Sequence, residues 1–416
     1  MSMPRPEFWR NVVTVMTGAT GAQALTLLAA PFVTRLCTPA EMGSFSVWLG
    51  VIAVTSIVAT LRVENAMVID HERQQQRLCF GVVAYFATLL GIALTLGSLC
   101  ACAFGLPPLE MVSWAEMATV GLATWITANI QTTLAYAAAH RQFGTAARIK
   151  LLQTGTIALS QLGLLYAGLE GEALLAGQLI GLCAGLLAGR LLLSPPRPRL
   201  GFFLDRAQRD YLVKHQAFWR YSLPSSLLNT LVGQLPLFMI GFDHGALAAG
   251  LFALTQRVLA APTALIAVSI LEVFKRQAVS EFESVGNCLA VYRSTFKALV
   301  LLALPPTLVL LLFSPALFAW LFGEDWRAAG ELARILAPLC FLNFVASPLS
   351  YVFFVAGKQR MELCWQVALF LATLMAFVAP LSLHGALFAY ALARSLLYLV
   401  YLYMSHLCAG NRPALA

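Results

Sequence analysis

Long stretches of this chain carry no charge at all, and nothing constrains its fold more. A helix crossing a bilayer needs about 20 largely apolar residues, because in hydrocarbon each backbone N–H and C=O must be satisfied within its own segment. Twelve segments qualify: near residues 11–34, 43–61, 79–104, 114–138, 149–168 and 172–193 in the first half, and 221–242, 246–271, 298–322, 332–356, 362–382 and 385–406 in the second. The last two divide one charge-free run, Leu363 to Ala393, at Ser382-Leu383-His384-Gly385. Asn11 to Val33 exceeds the apolar core of about 7–15 residues in a signal peptide, so it is read as the first span. Only 11% of residues are charged, against about 25% in a soluble domain. The sequence therefore predicts an all-α polytopic membrane protein with twelve transmembrane helices.

The chain also starts over. Phe8-Trp9-Arg10 is matched by Phe218-Trp219-Arg220, and Met42-Gly43-Ser44-Phe45 by Ala249-Gly250-Leu251-Phe252. His140-Arg141-Gln142-Phe143 is echoed by Lys358-Gln359-Arg360, and Glu172-Ala173-Leu174 by His384-Gly385-Ala386. The offsets are all roughly 207 to 217 residues, the mark of an internal duplication. Two pseudo-symmetric six-helix lobes follow, residues 1–194 and 220–416, joined by a basic cytoplasmic linker at 195–219. Within the linker, Phe202, Phe203, Leu204, Ala207, Tyr211 and Leu212 fall near helical spacing, which predicts a short helix on the membrane surface.

Lysine and arginine set the orientation. With the N-terminus in the cytoplasm, 22 of the 27 fall on the cytoplasmic face, three (Arg35, Arg327, Arg334) on the other, and two (Arg257, Arg394) inside spans. This is the positive-inside bias, so the net charge of +8 is no sign of nucleic acid. It places both termini in the cytoplasm and both lobes the same way up, with a cavity expected between them. The nine cysteines show no CxxC spacing and sit mostly in apolar runs, which predicts reduced, structural thiols. No zinc-ligand, Walker, GxSxG or HExxH pattern occurs, so no cofactor is expected.

Charges at depth are the candidate site. Arg257 lies 11 residues beyond Ala246 and Arg394 nine beyond Gly385, roughly 16 and 14 Å inward at the helical rise. A charge there costs about 2.5–3.5 kcal/mol on insertion scales and persists where it meets a cavity or a partner. Two deep arginines without a carboxylate at like depth favour an anionic group such as phosphate; the alternative is arginine bonded to carbonyls of a kinked helix. Arg62 and Arg35, with Arg10, Arg220, Lys275 and Arg276, would extend a cationic vestibule, although anchoring at the cytoplasmic surface accounts equally for most of these. Glu64, Glu116 and Glu272 are the near-membrane carboxylates able to take up a coupling proton. Gln23 and Gln234 recur in the first helix of each half, as sugar-contacting amides or as helix–helix hydrogen bonds.

Several runs resemble the polysaccharide transporter family. They are Pro31 through Gly43 (PFVTRLCTPAEMG), Leu61 through Ala66 (LRVENA), Arg141-Gln142-Phe143 ahead of Leu152-Gln153, and Gly177-Gln178 through Gly181. Gln234-Leu235-Pro236, Gly250 through Arg257 and Pro262 through Phe274 are similar again. The resemblance covers essentially the whole chain. It implies a flippase of lipid-linked oligosaccharides related to the multidrug and toxin exporters and to the lipid II flippase: a MATE-like fold, a V-shaped cavity and alternating access. It implies as substrate an undecaprenyl-pyrophosphate-linked oligosaccharide (an O-antigen, capsule or exopolysaccharide repeat unit), a bacterial inner-membrane location, and a polysaccharide polymerase and chain-length machinery as partners. The acidic first-helix residue used by some drug-exporting relatives has no match in Asn11–Val33. A multidrug/cation antiporter would call for an acidic cavity. A membrane polymerase or acyltransferase would call for a large outside loop or a buried His/Asp set, and the sequence offers neither.

Overall fold

The structure, a computed structural model, describes residues 21–410 apart from 71, 105–111, 170, 197–200, 202 and 357. The opening of the first expected span (residues 11–20), Arg10 and Phe202 lie outside these. Every regular element among the described residues is helical: α1 (Gly21–Thr34), α2 (Pro39–Thr60), α3 (Arg73–Ala103), α4 (Trp114–Ala139), α5 (Phe143–Tyr166), α6 (Ala173–Leu193) and α7 (Arg206–Lys214), then α8 (Leu223–Pro262), α9 (Val268–Val285), α10 (Leu289–Phe322), α11 (Arg327–Leu349), α12 (Val352–Val355), α13 (Gln359–Val378) and α14 (Leu383–Gly410). Among the described residues, seven stretches are long and apolar enough to cross a membrane, and two shorter helices, Gly21–Thr34 and Cys364–Val378, are apolar as well. α4 and α5 have the length, 26 and 24 residues, but carry more polar side chains. The chain is a multi-pass membrane protein, and all nine cysteines are free thiols.

Helix ends follow local chemistry. Thr38 and Ser113 each open a capping box: the Thr38 N–H donates to Glu41 Oε2 at 2.8 Å and the Ser113 N–H to Glu116 Oε2 at 2.8 Å, with the return bonds to the hydroxyls in place. Such boxes satisfy N–H groups that an apolar helix start would strand. α8 breaks at Gly245 (φ 81°, ψ 177°), a conformation only glycine adopts readily, and its halves match the seventh and eighth expected spans. Past Pro262 the backbone passes through a π-turn, Thr263–Ala267, into α9; the missing proline N–H accounts for the irregularity. The long apolar run divides at Ala379–Ser382, between α13 and α14, where Ser382 was expected to divide it. α3 and α10 begin six and nine residues before their expected starts, because helices continue past the hydrocarbon into the headgroup layer, where charge is tolerated. The tenth expected span is interrupted at Ser350 and Tyr351, between α11 and α12.

Two compact units emerge, Met1–Gly250 and Leu251–Ala416. In the first, α5 and α6 pack along a row of glycines. A Cβ at Gly177 would meet Gln161, one at Gly181 would collide with Ile157, and one at Gly185 would press on Gln153 at 3.0 Å. Lipid tails are as apolar as leucine, so membrane helices associate through close backbone approach and hydrogen bonds rather than hydrophobic burial. Both occur here: Gln161 Nε2 donates to the Leu174 carbonyl at 3.0 Å and Ser160 Oγ to the Gly177 carbonyl at 3.0 Å. Also in this unit, α2 meets α8 backbone to backbone. A Cβ on Gly43 would collide with the Ala246 carbonyl, and one on Gly250 with the Pro39 carbonyl. Gly43 and Gly250, and likewise Pro39 and Ala246, stand 207 residues apart, at the offset expected from the sequence for a duplication.

The expected linker helix exists as α7, seated on protein. Asp70, buried ahead of α3, receives the Tyr211 hydroxyl at 2.8 Å and Lys214 Nζ at 3.1 Å, and His215 Nε2 lies 2.9 Å away. Burial pushes the Tyr211 phenol up. It pulls His215 down, outweighing the Asp70 carboxylate. In the second unit α10 leaves Leu301, Leu304, Leu308 and Leu312 exposed along one stripe, a surface suited to lipid.

The glycine row carries a testable consequence. Gly181→Val should cost about 1–3 kcal/mol, the usual range for overpacking. Gly163→Ala, on α5 with open space around it, should be neutral or stabilising by up to about 1 kcal/mol. Unfolding of the purified protein in detergent, followed by circular dichroism, checks both.

Candidate functional site

The turn after α2 is the most unusual backbone in the first unit. Leu61 (φ 50°) and Arg62 (φ 58°) are consecutive non-glycine residues in the left-handed region, each costing about 1–2 kcal/mol. The chain doubles back, the Arg62 N–H reaching Thr60 Oγ1 at 3.3 Å, and Val63–Val68 continues as a 3₁₀ turn. That reversal buries Glu64, 4% exposed, beneath Arg62, with Arg62 Nη1 3.3 Å from Oε1. Glu64 Oε2 and Arg62 Nε are buried without hydrogen-bond partners. Burial pushes the Glu64 carboxyl up, against the downward pull of its own backbone N–H, Arg62 and Thr60.

The three carboxylates proposed for coupling thus separate by environment. Glu116 is buried, but its carboxylate closes the capping box of α4 and its backbone carbonyl accepts from Trp48 Nε1 at 2.9 Å. Glu272 is 43% exposed and paired with Lys275 at 2.8 Å. Glu64 alone among them combines burial, an unsatisfied oxygen and a raised pKa. The Ser113-x-x-Glu116 pattern, readable in the sequence, was the signal for the capping role.

Arg394, on α14, donates from Nη1 to the Tyr390 hydroxyl at 2.6 Å and lies over that ring, 5.1 Å from its centroid, while its Nε is buried and unbonded. Its direct partner is a phenol one turn away, not the carbonyl of a kinked helix. Nearby on α14, Tyr398 donates to Asn343 Oδ1 at 2.9 Å and Tyr401 to Glu362 Oε2 at 2.9 Å, with the Trp365 ring tilted against that of Tyr401, centroids 4.2 Å apart. None of these side chains carries a sequence signature, because phenols in an apolar helix read as hydrophobic. Arg257 is half-buried in the part of α8 after the Gly245 break, two residues after Thr255, whose hydroxyl donates to the Ala329 carbonyl at 2.8 Å. Gln234 rests against Gly50 of α2, its Oε1 3.1 Å from where a Cβ would stand, so it serves at least as a helix–helix contact. Gln23 is half-buried on α1, and Arg35 is exposed just after it. Among these candidates the structure joins Arg62 and Glu64 directly.

Long apolar helices with polar groups placed singly inside them, and with breaks at Gly245 and after Pro262, make a polytopic all-helical membrane fold. The fold is shared with proteins of the multidrug/oligosaccharidyl-lipid/polysaccharide exporter superfamily. The lipid II flippase MurJ, inward closed, superposes over 94% of this chain and 87% of MurJ with a TM-score of 0.72 at 10% identity. An inward-facing multidrug resistance MATE transporter superposes over 92% of this chain and 94% of its own, with a TM-score of 0.63 at 15% identity. A superfamily transporter from Pyrococcus furiosus gives 0.55 at 14% identity, covering 95% of each chain. In sequence, the model of the polysaccharide biosynthesis protein family matches residues 32–331, and the chain belongs to that family. The teichuronic acid biosynthesis protein TuaB of Bacillus subtilis (strain 168) is 26% identical over 203 residues, 47% of this chain and 40% of TuaB, so the match spans less than half of that curated relative.

Glu64 predicts a pH dependence with a definite sign. Folding raises its pKa, so its contribution favours the folded state at acid pH and is lost as pH rises through the folded value. The melting temperature should therefore decline as pH rises above the ordinary carboxylate range and this carboxyl ionises. Glu64→Gln should flatten the profile and melt no lower than the parent at neutral pH. A Gln variant that keeps the full slope would assign it to another group.

Proposed function

We propose that this chain is a flippase, moving an undecaprenyl-pyrophosphate-linked oligosaccharide across the bacterial inner membrane by alternating access between lobes 1–194 and 220–416, each of six spans. The observation that carries this reading is membership of the polysaccharide biosynthesis family on a fold that a lipid II flippase also has. Arg257 and Arg394 supply the deep positive charge for the pyrophosphate, with Arg62 and Arg35 toward the two membrane surfaces. Gln23, Gln234 and the phenols beside Arg394 supply neutral hydrogen-bonding groups for sugars. The work is binding and conformational change, not bond making, so the chain is not an enzyme. A polymerase and chain-length machinery would take over the flipped unit. Coupling to a proton gradient, where one charge moving across 100 mV is worth about 2.3 kcal/mol, falls on Glu64. The embedded cations weigh against a cation antiporter, which would need acidic groups at that depth.

Arg257→Ala should lower surface polysaccharide by about tenfold or more at equal membrane abundance, since a lost charge-assisted contact is typically worth at least that factor. Arg257→Lys should recover part of it, because an ammonium lacks the guanidinium's paired donors. The measurement is complementation of a deletion strain, with mass spectrometry of the lipid-linked oligosaccharide that accumulates. Full activity of Arg257→Ala would place the pyrophosphate elsewhere, and full rescue by lysine would reduce the contact to plain charge.

Topology provides a separate check. Reporter fusions at Gly171, Asp243 and Gly323 should report the outer face, and those at Gln75, Arg206 and Gly286 the cytoplasm, as the lysine and arginine bias requires.

A further inference from the structure

A cleft of about 700 Å³ on the first unit has no part in the transport reading. It opens between the first turns of α3 and of α7, lined among others by Arg73, Gln74, Arg77, Asp205 and Gln208. Arg73 and Arg77 are one helical turn apart, so both project from the same face of α3. Both are exposed, and among the described residues neither guanidinium has an ion-pair or hydrogen-bond partner. The uninterrupted apolar run of α3 starts at Leu78, directly after Arg77, which puts the two guanidiniums at the level of lipid headgroups.

The cleft's one acidic lining group is already engaged. Asp205 is the N-cap of α7, its carboxylate turned to the first turn, while its backbone N–H donates to Gln208 Oε1 at 3.0 Å. The opposite wall is fixed as well. Buried Asp70 gathers Tyr211, Lys214 and His215 from the end of α7 and the residue after it, and Tyr211 is itself 2% exposed. The result is a preformed concavity with two guanidinium forks that no described residue engages, in a layer rich in phosphate. Guanidinium pairs with phosphate oxygens through two parallel N–H bonds, and anionic lipids concentrate on the cytoplasmic leaflet.

We propose that this cleft binds a phosphate-bearing anion through Arg73 and Arg77, either the headgroup of an anionic phospholipid or a soluble phosphate compound. The proposal does not rest on the transport reading. The full-length protein in neutral detergent is titrated with phosphatidylglycerol, with phosphatidylcholine or with inorganic pyrophosphate, and thermal unfolding is followed in each case. Phosphatidylglycerol should raise the melting temperature and phosphatidylcholine should not. Arg73→Ala/Arg77→Ala should weaken the phosphatidylglycerol response about tenfold in apparent affinity, and Arg73→Lys/Arg77→Lys by less, because charge is kept and the fork lost. Arginine-dependent protection by pyrophosphate without lipid would assign the same site to a soluble phosphate. Equal responses from parent and double-alanine proteins, or no response to either anion, would overturn the proposal. If the alanine protein cannot be purified, native mass spectrometry of lipid retained by parent and double-lysine proteins decides the question, and equal retention counts against the site.

Discussion

Hydrocarbon offers no partner to a stray N–H or C=O, and this architecture follows from that single fact. Each crossing is a helix because only a helix satisfies its own backbone. Once the helices exist, water no longer drives them together, so what holds one against another must be built in. Between α5 and α6 it is a row of glycines under two glutamines and an isoleucine, closed by side-chain bonds to carbonyls. Toward the membrane surfaces the same constraint produces the Thr38–Glu41 and Ser113–Glu116 boxes, which supply partners where a helix first needs them.

Reading the sequence went furthest where a rule had long range. Charge-free length located the helices, and the break in the final apolar run fell beside Ser382, where polar and small residues interrupt it. Capping and turn chemistry act over three or four residues, so Glu116 drew attention as a near-membrane acid although Ser113 three positions earlier marks it as a cap. The left-handed pair Leu61 and Arg62 was invisible, since neither residue type favours that conformation and only tertiary packing holds it there. The partner of Arg394 was hidden for a different reason: tyrosines within an apolar run read as bulk, so Tyr390, one turn earlier on the same helix, drew no attention.

Positive charge has two distinct settings in this molecule. On α3 and α7 it is solvated or bound to Asp70, in a region where a helix is being fixed to the side of a bundle. On α8 and α14 single arginines stand within apolar helices, and Arg394 leans on a phenol while leaving Nε without a hydrogen bond. Glu64 is the counter-case: a buried acid under Arg62, held in place by strained backbone, with one oxygen of its carboxylate unsatisfied. Strain and unsatisfied polarity in one short turn mark it as a place where folding gives up stability, as functional positions commonly do.

The meeting of Gly43 with Gly250 differs in kind from the α5–α6 seam. At each glycine the obstacle to a side chain is the other helix's main chain, and main chain cannot be exchanged by mutation. A larger residue at either position therefore has no second-site suppressor: no substitution elsewhere shrinks a carbonyl. Neither helix is free to lose its glycine here while the other's backbone stays in place.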